Sequence, residues 1–492
     1  MATPNTSGAI ARITKEITNL QRGTDLSLAV ACRESDVRHV RALIIGPPET
    51  PYEYGFFEFE IKFVKDYPIK SPNVRCLTTN GGRCRFNPNI YNCGKVCLSI
   101  LGTWRGEKNE EWSSAQGLES VLLSIQSLMS QNPYENEPGH DTAKKEEELP
   151  AAYIAKIRHE TLRITVIQRM ETLLGLDDNR IPTLYKQIRN KTQALLNQSS
   201  GSGDQWHSPA TNGDSIGTHT PDTEASAYEY DAEATFAALD NGQWDPFTDL
   251  IKRRFLWYFD SYVKTINHAK EELQDGKAFD GKAFARMPFE FPPNSMEGHY
   301  DYKGLERRLN RIAEALEEER KHWEVQGRAQ VKDATQLATQ LAFQFKQLEH
   351  KWNDSSYSCS KMEISLPDPN NPFIWRLTLF GKPMTNLDGG IFNMTLSIPP
   401  NFPDIQPRLK LETPIFHHRV NSAGYLCYFP QKPDEIASHL EAIVREIEDE
   451  NPQFDPRAVV NPGAFALYWG GEEKRKFYNR KLRRSAQESS EY

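Results

Sequence analysis

Residues 50–68 read TPYEYGFFEFEIKFVKDYP, and residues 385–403 read TNLDGGIFNMTLSIPPNFP. In the first stretch Phe57, Phe59, Ile61 and Phe63 alternate with Glu58, Glu60 and Lys62. A period of two predicts a strand with one buried and one wet face, which suits an antiparallel sheet. Pro68 and Pro72 end regular pairing after it. In the second stretch Gly390, Phe392, Met394, Leu396, Ile398, Phe402 and Pro403 match Gly55, Phe57, Phe59, Ile61, Phe63, Tyr67 and Pro68, at a constant offset of 335. The same buried-face pattern occurs twice, so two copies of one fold are expected.

Each copy then runs to a cysteine. NPNIYNCGKVC ends at Cys97 and HHRVNSAGYLC ends at Cys427, each with a glycine three residues earlier. The offset there is 330, so the second copy is five residues shorter over this span. Farther on, NPYENEP from Asn132 pairs with NPQFDP from Asn451, at an offset of 319. Helical spacing flanks the strands. Ile10, Ile13, Ile17 and Leu20 form one apolar face near the start, and Leu118, Val121, Leu122, Ile125 and Leu128 form another beyond Cys97. Residues 248–273, TDLIKRRFLWYFDSYVKTINHAKEEL, read as a further helix, and Leu305, Leu309, Ile312 and Leu316 mark a second one.

The chain has 492 residues, a prior of about three domains. Its 59 basic and 67 acidic residues give a net charge of −8, which argues against a nucleic-acid-binding coat. The charge is uneven. From Gln193 through Ile251 there are ten acidic residues and no Lys or Arg, so the rest is close to neutral. The stretch from 197, rich in Gly, Ser, Thr, Asn and Asp, cannot bury enough apolar surface to offset its ordering entropy and reads as a disordered linker. Seven basic residues between Lys474 and Arg484 read as a polar tail. No apolar run approaches the roughly 18–20 residues of a membrane helix, and MATPNTSGAIARITKEI lacks the apolar core of a secretory leader. The seven scattered cysteines lack CxxC pairs and fit a reducing compartment. Irregular spacing without interleaved His disfavours zinc at Cys76–Cys97.

Together, GPPETPYEYGFFEFEIKF, DYPIKSPNV, NPNIYNCGKVCLSILGTW and WSSAQGLESVLLSIQSLMSQNPYENEPG resemble a ubiquitin-conjugating catalytic domain across residues 6–176. GKVCLSILGTW with the later FLWYFDSYV and HYDYKGLERRL segments is similar to the large Z-type members, which carry a helical extension. The implied fold is α+β: two conjugating-type domains, each with an N-terminal helix, a four-stranded antiparallel sheet and C-terminal helices. The expected division is a catalytic domain at 6–176, an acidic linker at 193–245, a helical extension at 246–325, a diverged second domain at 330–465 and a basic tail at 466–492.

The resemblance makes Cys97 the thiol that holds ubiquitin, or a ubiquitin-like modifier, as a thioester. A thiol near pKa 8.5 is a few per cent thiolate at neutral pH and intrinsically nucleophilic. Cys93, in the same loop, has no such support and is read as structural. Asn89 stands where the family's Asn supports the oxyanion or the loop. Asn87 replaces the family's His, and Asn is itself a turn residue. Glu135 and Glu137 lie where the family has an acid near the incoming lysine. Arg12 and Lys15 resemble the face that meets the activating enzyme, and Phe63 and Ser114 occupy ligase-binding positions. Ser114 replaces the usual Pro. In the second copy His417-His418-Arg419 replaces His-Pro-Asn, Arg419 could meet an oxyanion, and Cys427 is a possible second thiol. Implied partners are ubiquitin or a relative, an activating enzyme, ligases and protein substrates, in cytoplasm or nucleus, with neither nucleic acid nor membrane. No bound cofactor or metal is implied, and ATP serves the activating enzyme, since no phosphate loop is present. The competing readings are a non-catalytic variant that scaffolds ubiquitin and ligases, and a cysteine hydrolase. The hydrolase lacks a histidine between His39 and His140.

Overall fold

The computed structural model describes residues 6–23, 25–104, 110–176, 244–272, 281–291, 296–353 and 361–491. The expected acidic linker lies outside these except for its last two residues. The first copy opens with α1 (Thr6–Arg22) and continues as β1 (Leu28–Arg33), β2 (Asp36–Ile45), β3 (Phe56–Lys62) and β4 (Asn73–Cys76). These strands form one antiparallel sheet in sequence order. Then come α2 (Leu118–Ser127) and α3 (Glu148–Glu160), which runs through a π-helical stretch at Thr161–Gln168 into α4 (Arg169–Leu174). The extension supplies α5 (Thr248–Glu272) and α6 (Tyr302–Lys332). The second copy has α7 (Gln336–Asn353), β5 (Met362–Ser365), β6 (Ile374–Phe380), β7 (Ile391–Ser397) and β8 (Arg408–Leu411). It closes with α8 (Ile436–Glu448), α9 (Pro462–Tyr468) and α10 (Glu472–Glu488). Its sheet is also four-stranded, antiparallel and in sequence order.

The repeat extends to the backbone. Phe59 faces Ala42 and Cys76, and Met394 faces Leu377 and Leu411, the same register at the same offset. Glu49 and its counterpart Met384 both take positive φ, 60° and 65°. Both copies carry a cis peptide, at Tyr67–Pro68 and Phe402–Pro403. Before each cysteine the glycine is obligatory. Gly94 and Gly424 have φ of 89° and 86°, and a Cβ there would collide with the carbonyl of Cys76 or Leu411.

The inner face of the first sheet, with Phe57, Phe59 and Ile61, packs on Leu118, Val121, Leu122 and Ile125 of α2, all 0–1% exposed. In α1 the burial falls on Ile13 and Ile17, while Ile10 faces outward. The outer face departs from the expectation of a wet surface: Glu58 and Glu60 are only 6% and 9% exposed. Glu58 pairs with Arg41 and Arg169, each at 2.7 Å, and Glu60 with His39 at 2.6 Å. Alternating charge signals a polar environment, and here basic side chains provide it in place of water. Leu43, Ile45, Tyr54 and Phe56 of this face join one core with Leu162 and Val166, with Phe255, Tyr258 and Tyr262 of α5, and with Leu305, Leu309 and Ile312 of α6.

Two expected boundaries change. Helix α6 continues to Lys332, past the expected end of the extension at 325. The basic tail at 466–492 is α9 and α10, and Tyr478, Leu482 and Ala486 lie in the core of the second copy. Their i, i+4, i+8 stripe is hidden in sequence among basic residues that occupy the other faces. Contacts group Met1–Asp177 with Phe247–Tyr492 as one compact unit, so both copies and the extension pack together.

One buried ion pair fastens the extension to the first copy. Lys156 of α3 and Glu290 are 0% and 2% exposed and 2.6 Å apart. Lys156 also donates to the Ala285 carbonyl at 2.9 Å, and Glu290 accepts from the Met287 N–H at 2.9 Å. His159 accepts the Asp301 N–H at Nε2 and meets Glu160 at Nδ1, both at 3.0 Å. Glu290→Gln leaves an ammonium buried without its counter-charge. It is expected to cost about 3–5 kcal/mol and to speed hydrogen exchange first in residues 281–291, read by mass spectrometry.

Candidate active site

The turn Asn87-Pro88-Asn89 and the cysteine segment run side by side. Ile90 bridges Val96, the Tyr91 N–H bonds the Lys95 carbonyl at 2.9 Å, and Gly94 N–H closes the turn onto the Tyr91 carbonyl at 2.9 Å. The Cys97 N–H donates to the Asn89 carbonyl at 2.8 Å, and Asn89 Nδ2 donates back to the Cys97 carbonyl at 3.1 Å. Asn89 thus braces the cysteine's own peptide. Asn87 is 0% exposed. Its Nδ2 donates to Tyr52 Oη at 3.1 Å and the Leu128 carbonyl at 2.8 Å, and its Oδ1 accepts the Asn89 N–H at 2.9 Å.

The sulfur of Cys97 is nearly covered, at 3% exposure of the residue. Burial, then the charge of the nearby Cys97 thiol, raises the half-buried Tyr91 phenol above its usual value. Behind Tyr91 lies Arg85, 7% exposed, its guanidinium 4.6 Å from the ring centroid. Glu137 is 3.4 Å from Arg85 Nη2, and burial raises this carboxyl above the usual range against the pull of Arg85 and His140. Glu135 is exposed and its side chain joins no part of this cluster. The motif reading missed Tyr91 and Arg85. Tyr91 sits inside the motif, but its contact with a guanidinium six residues away depends on the fold.

The expected partner surface assembles in part. Arg12 donates to the Ser114 carbonyl at 2.7 Å and the Gln116 carbonyl at 2.6 Å, so α1 and the Ser113–Ala115 loop are one surface. Lys15 and Ser114 are exposed. Phe63, which the resemblance sets at a ligase-binding position, is 5% exposed and packs edge-on against Tyr67, with ring centroids 4.6 Å apart. Among the described residues Ile69 and Trp104 are exposed apolar groups, 72% and 47% exposed.

Around Cys427 the backbone is the same and the surroundings are different. The Cys427 N–H donates to the Arg419 carbonyl at 2.9 Å, as Cys97 does to Asn89. Cys427 is 0% exposed and clusters with Trp257 of α5 and Val460. Burial pushes its thiol up to about 11. Arg419 lies 4.0 Å from the sulfur and 3.6 Å from Glu446. The loop before Cys427 docks on α5: Asn421 donates to the Leu256 carbonyl at 2.7 Å, and Ser422 to Asp260 at 2.6 and 2.8 Å. This corrects the reading of Cys427 as a possible second nucleophile. A thiolate is the reactive form, and here it is disfavoured by burial beneath a helix. Iodoacetamide is expected to alkylate exposed Cys93 in the native chain and spare Cys427. Trp257→Ala should make Cys427 react, as peptide mass spectrometry would show.

Three histidines of the second copy, His417, His418 and His439, are buried, and each is held below its usual value. Burial, then Arg419, lowers His417 to about 3, and burial lowers His439 to about 4. His418 is lowered too, by burial and then His417 and Arg419. Folding depresses these values below 6.5, so the unfolded chain binds more protons in acid. Their stability contribution is complete above 6.5 and is lost as pH falls toward the folded values, by up to about 1.4 kcal/mol per unit for each group. The urea midpoint should therefore fall between pH 6.5 and 4. The paired substitution His417→Gln, His439→Gln should flatten the fall.

A model of the ubiquitin-conjugating enzyme family matches residues 12–161 and again 344–447, more than half of the chain. Ubiquitin-conjugating enzyme E2 Z of Xenopus tropicalis is 46% identical over 162 residues, 33% of this chain and 50% of that protein. The Homo sapiens protein of that name is 46% identical over 162 residues, 33% and 45% of the two chains. A probable ubiquitin-conjugating enzyme of Caenorhabditis elegans is 37% identical over 203 residues, 40% and 28%. The matches span half or less of these relatives' length. With the motif around Cys97 set in the first sheet domain and the fold repeated in the second, the chain belongs to the ubiquitin-conjugating enzyme family.

Proposed function

We propose that the chain is a transferase that carries ubiquitin, or a ubiquitin-like modifier, as a thioester on Cys97. The observation that carries this reading is the reciprocal pair of hydrogen bonds between Asn89 and Cys97, one from the Cys97 N–H to the Asn89 carbonyl and one from Asn89 Nδ2 to the Cys97 carbonyl. In loading, the Cys97 thiolate attacks the thioester of a charged activating enzyme, whose thiolate leaves. ATP is consumed by that enzyme, and this chemistry needs no cofactor on the carrier. In transfer, a neutral lysine amine attacks the Cys97 thioester, the carbonyl oxygen takes up negative charge, and collapse forms the amide and releases the Cys97 thiolate. The amine proton is lost to water. Glu137, half-buried and raised, is the acid placed to orient that amine, in preference to exposed Glu135. Because its carbonyl and its Nδ2 both bond the Cys97 peptide, Asn89 steadies the loop on which the oxyanion forms.

The surface of Arg12, Lys15 and Ser114 is assigned to the activating enzyme and ligases, with protein lysines as acceptors in cytoplasm or nucleus. The scaffold reading is kept for the second copy alone, because α5 covers Cys427. With activating enzyme, ATP and ubiquitin, the wild-type chain and Cys427→Ala are expected to form a reductant-sensitive adduct. Cys97→Ser should give a reductant-stable oxyester and Cys97→Ala none. Full loading of Cys97→Ala would remove Cys97 from this role.

A further inference from the structure

We propose that Arg85 is a positioning residue through which segment 281–291 of the extension holds the Cys97 loop, so that the extension helps set the rate of transfer. This rests on the reading of Cys97 as the thioester carrier. Arg85 is 7% exposed and touches four groups, two of them, Glu137 and Phe289, distant in sequence. Its Nη2 donates to the Pro88 carbonyl at 2.5 Å and meets Glu137 at 3.4 Å. Its Nη1 donates to the Phe289 carbonyl at 3.4 Å. Its guanidinium carbon lies 4.6 Å from the Tyr91 ring and 5.8 Å from the Phe289 ring. It touches neither sulfur nor acceptor, so it acts through Pro88 and Tyr91.

Both ends of this link are held. Pro88 precedes Asn89, whose peptide and side chain fix Cys97, and the Tyr91 backbone bonds Lys95 and Gly94 within the same loop. The Phe289 ring packs against Tyr134 and Tyr153, with centroids 5.3 and 5.4 Å away, and the next residue is Glu290 of the buried ion pair. Close-packed groups transmit displacement because they leave no slack. A guanidinium is planar, with its donors in a fixed fork, which an ammonium cannot reproduce. Sub-ångström misplacement of a reacting group is costly in rate, so a shift of Phe289 reaches the thioester through one side chain.

The test uses the full chain with Arg85→Lys, Arg85→Gln, Phe289→Leu and the double variant Arg85→Gln, Phe289→Leu. One measurement is single-turnover discharge of the ubiquitin adduct to free lysine. The other, independent of ubiquitin, is the pH profile of Cys97 alkylation by iodoacetamide. Each single variant is expected to slow discharge about tenfold and to displace the alkylation profile, with Arg85→Lys failing to rescue. The double variant should be no slower than the slower single one, because both act through one contact. Multiplied effects in the double variant overturn the route through Arg85, as does unchanged discharge with an unchanged profile in Arg85→Gln. If Arg85→Gln fails to fold, Phe289→Leu decides alone: a wild-type profile overturns the proposal. A wild-type chain that never loads, but whose alkylation profile still moves in Arg85→Gln, overturns the thioester reading and leaves the positioning role standing.

Discussion

Helix α5 is buried on two sides, and the arrangement of both related folds depends on it. Toward the first copy it presents Phe255, Tyr258 and Tyr262, with Tyr258 stacked on Tyr54 at 4.2 Å and Tyr262 Oη donating to the Tyr54 carbonyl at 2.9 Å. Toward the second it presents Arg254 and Trp257 to Phe429 and Cys427, and Asp249 to Arg408 at 2.6 Å. A helix apolar around most of its circumference must be enclosed. Here the two enclosing surfaces are the outer face of one sheet and the cysteine loop of the other fold. Burial tends to raise the Asp249 carboxyl, yet Arg408 and Arg253 hold it below its ordinary value, so this polar end of the contact stays ionised.

That enclosure separates two loops with the same backbone. Cys97 and Cys427 each donate an N–H to the residue eight positions earlier and follow a left-handed glycine. Near Cys97 stands the half-buried Tyr91 of its own loop. Over Cys427 lies a helix fixed by core packing and hydrogen bonds. The first loop suits chemistry and the second suits docking, although little in the local backbone distinguishes them.

The strands, the repeat, the α2 face and the Cys97 motif were legible because period-two and 3.6-residue patterns report directly which side of an element is buried. The buried outer face was not, since Glu58 and Glu60 carry the letters of a wet surface and only the fold brings Arg41, Arg169 and His39 to them. Helix α10 was hidden for a related reason: its apolar stripe of Tyr478, Leu482 and Ala486 is sparse, and seven basic residues dominate its composition. Closure of Cys427 depends on Trp257, 170 positions away, a distance at which no local pattern carries information.

The cluster behind Cys97 is built from contacts that are individually weak. Two of the bonds of Arg85 are 3.4 Å long, and its Nε has no partner among the described residues. A buried cation held this way owes its position to the walls around it more than to any one bond. Those walls include Phe289, which belongs to a segment with little regular structure pinned by Glu290 against Lys156. The rigidity of the Cys97 loop is therefore supplied partly by an ion pair that ties α3 to the extension. A conjugating fold without an extension has to hold the same loop by its own packing, whereas this chain can change the loop by changing how residues 281–291 dock.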